Sequence, residues 1–339
     1  MGGGGRKNIC GAGETDNNVM KIPVEKIIGN YKLGRIEKIE PLKTSGNFSF
    51  ILTSKENKYI LRLSPSGPRS RSRDEIAAEI ELLRYLKSKS FPALAPVKDG
   101  GGNEILSWKN HFGYLRAFCG ATAKLSPTVA EVKKFGEVLG RFHRLIQGYQ
   151  TKEKRTHVFD APATKRLFLK KKTAILASDF KNKKAFIDKF EKEINSLVFP
   201  NTLPRGMIHE DLGRRHVLWS KNKIMAIVDF DRTYYGHLIL DLGQACRGWC
   251  FVNDWNKWSD ENFRALISGY EKKRRLTDLE RRCLFDAIKF GVLERSLSFC
   301  LRYLYVNRNK ADQNFALDGL FNQLKLLQAH RREIESSGV

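Results

Sequence analysis

The chain has 339 residues, 41% of them hydrophobic, and a formal net charge of +24. That length and apolar content fit one large or two modest globular domains, and no apolar run approaches the roughly 18 residues of a membrane span. The six cysteines form no C-x-x-C pair, and no apolar signal-peptide core follows the N-terminus, so the expected compartment is the reducing cytoplasm.

Residues 1–20 are glycine-rich and poor in apolar side chains, the composition of a disordered tail. Arg6 stands where a myristoylation signal needs Ser or Thr. Met20 opens folded-looking sequence and is a second candidate start beside Met1. From Lys32 to Leu63, "GRIEKIEPL", "NFSFILTS" and "KYILRLS" alternate or run apolar between turns, which predicts three antiparallel strands. A helix follows, with Asp74 as expected cap and Ile76, Ile80, Leu83 and Leu86 on one face. "HFGYLRAFCGA" predicts a further strand leading into a connector.

From Ser126 the pattern becomes helical. Ser126 is the expected N-cap, with Pro127 at the first position. Val129, Val132, Phe135, Leu139, Phe142 and Ile146 form an apolar stripe. Basic helices are expected between Thr164 and Leu197, and further helices from Asn262 to Ile334. The predicted architecture is α+β and bilobal. A small antiparallel β lobe with one main helix (21–113) is followed by a connector or hinge (114–120) and a large α-rich lobe (121–339). Ligands favour the cleft between such lobes.

The stretch "HEDLGRRH", His209 to His216, carries the chemistry. A zincin helix needs a second histidine at position 213; Gly213 stands there and favours a loop. An apolar strand, a "KNK" turn and a second strand follow, ending in "VDFD". A loop carboxylate, a ligand-type residue five positions on and a carboxylate after the next hairpin match the needs of phosphoryl transfer. One group orients the acceptor hydroxyl, and hard ligands hold Mg²⁺ on the triphosphate. His143, in "LGRFHRL", reads as a core histidine. Cys246 and Cys250 read as neighbouring core thiols.

This order resembles the catalytic loop of the aminoglycoside phosphotransferase and choline kinase-like superfamily, whose fold is related to the protein kinases. The family pattern is H-x-D-x-x-x-x-N, then hydrophobic residues, then I-D-[FW]-[DE]. The resemblance covers about residues 28 to 305 and implies an ATP- and Mg²⁺-dependent phosphotransferase acting on a hydroxyl of a small acceptor. Asp211 is then the catalytic base, His216 and Asp229 the metal ligands, and His209 and Asp241 supports of the loop. Ser45, Gly46, Asn47 and Phe48, in "TSGNFSF", lie over the phosphates. Arg62 occupies the place of the nucleotide lysine, and Glu79 is its ion-pair partner. The hinge carries Arg116 and Phe118 beside the nucleotide. Asp231 is expected at the acceptor, and Trp249 is the best pocket candidate among the nearby aromatics. His216 departs from the usual Asn, and Arg62 from the usual lysine.

Within the superfamily, "LPRGMIHEDL", "CRGWCF", "ALISGYEKKRRLTDLE" and "PALAPVKDGGG" are similar to type II homoserine kinases. The acceptor class therefore spans homoserine-like amino alcohols, sugars and antibiotics. Two other readings compete. A nucleotide-binding pseudokinase is motivated by His216 and Arg62. A polyanion-binding protein is motivated by the charge, which without a nucleic-acid motif supports only nonspecific attraction. Nothing in the sequence fixes the oligomeric state.

Overall fold

The structure, a computed structural model, describes residues 22–42, 46–65, 70–151, 155 and 157–336. The tail expected over 1–20, and Ser45, lie outside them. A short helix α1 (Val24–Ile27) precedes β1 (Ile36–Leu42), β2 (Phe48–Ser54) and β3 (Lys58–Leu63), the three expected strands. Helix α2 (Arg73–Ser88) follows, then β4 (Leu106–Trp108) and β5 (His111–Ala117). The five strands form one sheet in the order β1-β2-β3-β5-β4, every neighbouring pair antiparallel. Leu52, Leu61, Leu63, Leu106 and Leu115 form its apolar face with Val24, Ile28, Tyr31 and Leu33.

Helix α2 starts two residues earlier than expected. Its cap is Ser72, not Asp74: the Ser72 hydroxyl accepts the Glu75 amide, and the Glu75 carboxylate accepts the Ser72 amide. A capping box needs Glu or Gln three residues after the cap. Ser72 has Glu75 there, and Asp74 has Ala77. The same rule moves the next start from Ser126 to Thr128, which pairs with Glu131 at the head of α3 (Val129–Ile146). The expected hinge also moves. Residues Tyr114 to Ala117 pair with β3, so the small lobe's sheet runs four residues past the expected boundary.

The large lobe begins with β6 (Thr122–Ala123) and α3, then α4 (Ala161–Ala177) and α5 (Lys183–Asn195). Strand β7 (Arg205–Ile208) leads into the His209 loop, followed by the hairpin β8 (Val217–Ser220) and β9 (Lys223–Ile227) around the "KNK" turn. Strand β10 (Tyr234–His237) pairs with β7 and runs into α6 (Leu238–Cys250). A small hairpin, β11 (Phe251–Val252) and β12 (Lys257–Trp258), precedes α7 (Asp260–Glu271) and the long α8 (Asp278–Arg302). Helices α9 (Lys310–Asp318), α10 (Leu324–Ala329) and α11 (Arg331–Ser336) complete the chain. No described helix is long and apolar enough to cross a membrane.

Two features hold the site's elements rigidly. Ile76, Ile80, Leu83 and Leu86 of α2 belong to the same buried cluster as Phe135, Leu139 and Phe142 of α3. The apolar face of the small lobe's main helix is thus buried against the large lobe, and the Tyr85 hydroxyl donates to the Leu145 carbonyl. Second, α3 and α7 touch through glycines. A Cβ on Gly136 would stand 2.2 Å from the Leu266 carbonyl oxygen, and one on Gly269 would stand 2.1 Å from that of Lys133. Both obstacles are backbone, which cannot swing aside. Gly136→Ala is therefore expected to destabilise the protein by about 1–3 kcal/mol, the usual cost of overpacking. The measurement is a urea midpoint that falls with an unchanged m-value; an unchanged midpoint would contradict the close approach.

Candidate active site

The His209 loop is fixed from beneath by Asp241, near the start of α6. The Asp241 carboxylate accepts the amides of His209 (2.9 Å) and Glu210 (2.8 Å). Its Oδ2 also lies 3.1 Å from His143 Nε2, whose Nδ1 is 2.7 Å from the Tyr270 hydroxyl. All three side chains and both amide-bearing residues sit in the interior. Burial pushes the His143 pKa down despite Asp241, so the ring is neutral, its Nε2–H donating to the carboxylate. His143 is thus a satisfied core histidine, and three helices converge on one aspartate. Asp241→Ala would orphan two buried amides, each costing about 1–3 kcal/mol. The expected result is a large drop in unfolding free energy, with a wild-type midpoint as the contrary outcome.

His209 acts within the loop. Its Nε2 lies 3.1 Å from the Val228 carbonyl, and its Nδ1 is 3.3 Å from the Asp211 amide. The Nε2–H tautomer satisfies both, which ties the loop to the end of the β8–β9 hairpin. His216 closes the loop from the other side, its Nδ1 against the Asp211 carbonyl oxygen. The same ring presents its Nε2 to Asp229 Oδ2 at 3.3 Å. A contact of that length between these two groups is bridged by a proton or by a metal cation.

Asp229 is held with a left-handed backbone, φ +73°, which Asp tolerates better than most residues. Burial and the neighbouring Asp231 push its pKa up, against Arg62 and His216. Asp231 goes the other way: burial opposes its ionisation, but Arg62 and Arg71 outweigh burial and keep its carboxyl below the ordinary range. A carboxylate and an imidazole nitrogen this close together suit a divalent ion, although the nitrogen is softer than Mg²⁺ prefers. Their 3.3 Å separation is close to the roughly 3 Å between adjacent ligands of an ion bound at about 2.1 Å. Among the described residues no three His, Cys, Asp or Glu side chains form a ready cage. Phosphate oxygens would have to supply the other ligands, as is usual for Mg²⁺.

Asp211 lies opposite Arg295 of α8, whose Nη2 is 2.6 Å from its Oδ1. Burial alone would raise the Asp211 pKa, but Arg295 and His216 hold it well below the usual carboxylate range. It is ionised at neutral pH.

These groups line one cleft of about 680 Å³ between the lobes. Gly46, Asn47 and Arg62 from the small lobe face Asp211, His216, Asp229 and Asp231 from the large one. Arg62 Nη2 reaches Asp229 Oδ1 at 2.6 Å and Asp231 Oδ2 at 3.4 Å, and Asn47 donates to Asp231 at 3.0 Å. Phe48 starts β2 and packs edge-on against His111.

The structure corrects four sequence expectations. Glu79 does not pair with Arg62; it binds Arg71 and accepts from the Tyr114 hydroxyl at 2.7 Å. Arg71 comes from the "PRSRSR" loop and reaches Glu79 first, leaving Arg62 to the aspartates. Trp249 lines no pocket: it is fully buried, stacked 4.0 Å from Phe135, and its indole N–H donates to the Leu212 carbonyl. Arg116 is buried with its guanidinium on the Ala117 carbonyl. Phe118 is partly exposed, its amide engaged by Lys58. Neither lines the cleft. Asp231, expected at the acceptor, lines the cleft and is engaged by Asn47 and Arg62 of the small lobe.

Sequence reasoning missed Arg71, Arg155 and Arg295. Arg155 donates to the carbonyls of Phe230 and Asp231 and so fixes the segment after Asp229. No spacing rule marks it. Arg214 anchors on the Leu125 and Phe251 carbonyls, whereas Arg215 is exposed at the cleft edge.

A family model described as a phosphotransferase enzyme family matches residues 39–282. A homoserine kinase from Caulobacter sp. (strain K31) is 27% identical over 283 residues, covering 82% of this chain and 83% of that protein. Among solved structures, the fold is similar to an amicoumacin kinase in complex with AMP-PNP, Ca²⁺ and Ami (TM-score 0.67, 18% identity, 92% of each chain). It is also similar to a microcompartment-associated aminopropanol kinase (TM-score 0.66, 16% identity, 93% of this chain and 98% of that one).

Proposed function

Since the chain belongs to the APH phosphotransferase enzyme family and is an ATP-dependent small-molecule kinase, we propose how its cleft works and what it phosphorylates. The observation that carries this reading is the meeting of Asp211, His216 and Asp229 on one wall of the interlobe cleft, with Arg62 opposite.

ATP lies in that cleft, its triphosphate beneath Gly46 and Asn47. Arg62 is a permanent cation with a planar fork. It turns from Asp229 and Asp231 toward the phosphates when ATP enters. His216 Nε2 and Asp229 would hold Mg²⁺, which would supply positive charge against that developing on the phosphate oxygens. Asp211, kept anionic by Arg295, accepts a hydrogen bond from the acceptor hydroxyl and aims it at the γ-phosphorus. Proton removal need not lead, because phosphoryl transfer proceeds largely by loosening of the leaving group. His209 and Asp241 keep the loop in register, and Asp231 positions Arg62 and Asn47.

The acceptor we favour is a homoserine-like amino alcohol, supported by the likeness to homoserine kinases over most of the chain. The test is transfer from γ-labelled ATP with Mg²⁺ to homoserine, choline, ethanolamine, sugars, aminoglycosides and macrolides. Labelled homoserine phosphate as the dominant product is expected. Preferential labelling of another acceptor would overturn the substrate assignment and keep the reaction class.

A further inference from the structure

Most arginines on the acceptor side of the cleft already have carboxylate partners. Arg232 binds Glu210 and Glu294. Arg295 binds Asp211 at 2.6 Å and approaches Glu294 at 3.4 Å. Arg302 binds Asp312 at 2.8 Å. Arg247 differs. It lies on α6, is only 6% exposed, and has no ion pair or hydrogen bond among the described residues; its Nε is buried without a partner.

Its surroundings make this costly. The guanidinium lies over the Trp255 ring at 4.7 Å and the Phe315 ring at 5.7 Å. Phe315 packs at 4.3 Å on Phe299, which lines the cleft together with Arg295 and Arg302. Trp255 is set there by a turn in which Asn253, Asp254 and Trp255 all have positive φ, a strained conformation for such residues. Burial and then the like charge of Arg295 push the Arg247 pKa down to about 9. Ring faces attract a cation, but they give its N–H groups no acceptor, and among the described residues no carboxylate bonds Arg247 directly. A small anion would.

We propose that Arg247, stacked between Trp255 and Phe315 beside Arg295, is the receptor for a carboxylate on the acceptor. This rests on the phosphotransferase reading of the same cleft and narrows its substrate class. The acceptor is a short hydroxy acid or hydroxy amino acid, held by its carboxylate at Arg247 with its hydroxyl directed to Asp211. Polycationic acceptors are repelled from the same place.

The test uses two probes that differ by the carboxylate alone: L-homoserine and 3-amino-1-propanol. Calorimetric binding to the full chain in the presence of AMP-PNP and Mg²⁺ needs no turnover. Wild type is expected to bind the acid at least tenfold more tightly. Arg247→Gln is expected to shrink that preference by about tenfold to a hundredfold, the worth of a charged hydrogen-bonding partner. Arg247→Lys, which keeps the charge and loses the fork, is expected to fall between. Equal binding of the two probes by wild type would overturn the proposal, and so would a preference unchanged in Arg247→Gln. If Arg247→Gln does not fold, the wild-type pair and Arg247→Lys decide in the same way. ADP formation, read separately, tests the reaction. Acid-selective binding without ADP would reject phosphotransfer and keep the carboxylate receptor. ADP formation with equal binding would do the opposite.

Discussion

Asp211→Asn is expected to lower kcat by about 10²–10⁴, the span ordinarily lost with a catalytic acid or base, and to leave ATP affinity at its wild-type value. The substitution is nearly isosteric. The loop is held by Asp241, His209 and His216 through backbone groups, so its shape does not depend on the Asp211 carboxylate. What is lost is the negative charge beside the acceptor hydroxyl, together with the ion pair to Arg295. Arg295 would then keep only Glu294 and Glu210 as carboxylate neighbours. Because the Asp211 pKa is held well below the usual carboxylate range, wild-type activity should not fall through an Asp211 titration anywhere above that range. Steady-state kinetics and nucleotide titration check both halves. Equal turnover by the variant would remove Asp211 from the chemistry. Weakened ATP binding would give it a different role.

Asp229→Asn is the second large effect. It removes one of the two protein donors that face each other at 3.3 Å and one partner of Arg62. The loss expected is about 10²–10³ in kcat, as for removal of one preorganised charge-stabilising group. It should come with a shifted Mg²⁺ dependence, and that second readout separates it from Asp211→Asn. In a Mg²⁺ titration at fixed ATP, Asp229→Asn should need a higher concentration for half-maximal rate, whereas Asp211→Asn should keep the wild-type curve. A wild-type Mg²⁺ curve in Asp229→Asn would place the ion elsewhere.

The loop, the hairpin and the order of the aspartates were legible because that chemistry is local: His209, Asp211, His216 and Asp229 fall within about two turns of loop and one hairpin, and spacing alone constrains them. Strands β1 to β3 and helix α3 were legible for the same reason, from alternation and a helical stripe. Partner choice was not local. Glu79 has Arg62 and Arg71 near it, and only the folded structure shows that Arg71 is the one it binds. Trp249 sits on a helix with no exposed face, where an aromatic reads equally well as core or pocket; the stacking on Phe135 decides it. Arg295 carries no motif, and its place at the cleft depends on how α8 crosses the large lobe; Arg247 lies inside "CRGWCF", but its lack of a partner is visible only in the fold. The two helix starts were misplaced by ranking single cap residues above the reciprocal pairing with a glutamate three residues on.

The most direct measurement is phosphorus NMR of wild type and Asp211→Asn incubated with ATP, Mg²⁺ and L-homoserine. The account predicts a phosphomonoester of the acceptor appearing in step with ADP, one for one, in the wild type and in the variant only at a small fraction of that rate. ADP with inorganic phosphate and no phosphomonoester, or equal rates in both proteins, would contradict it.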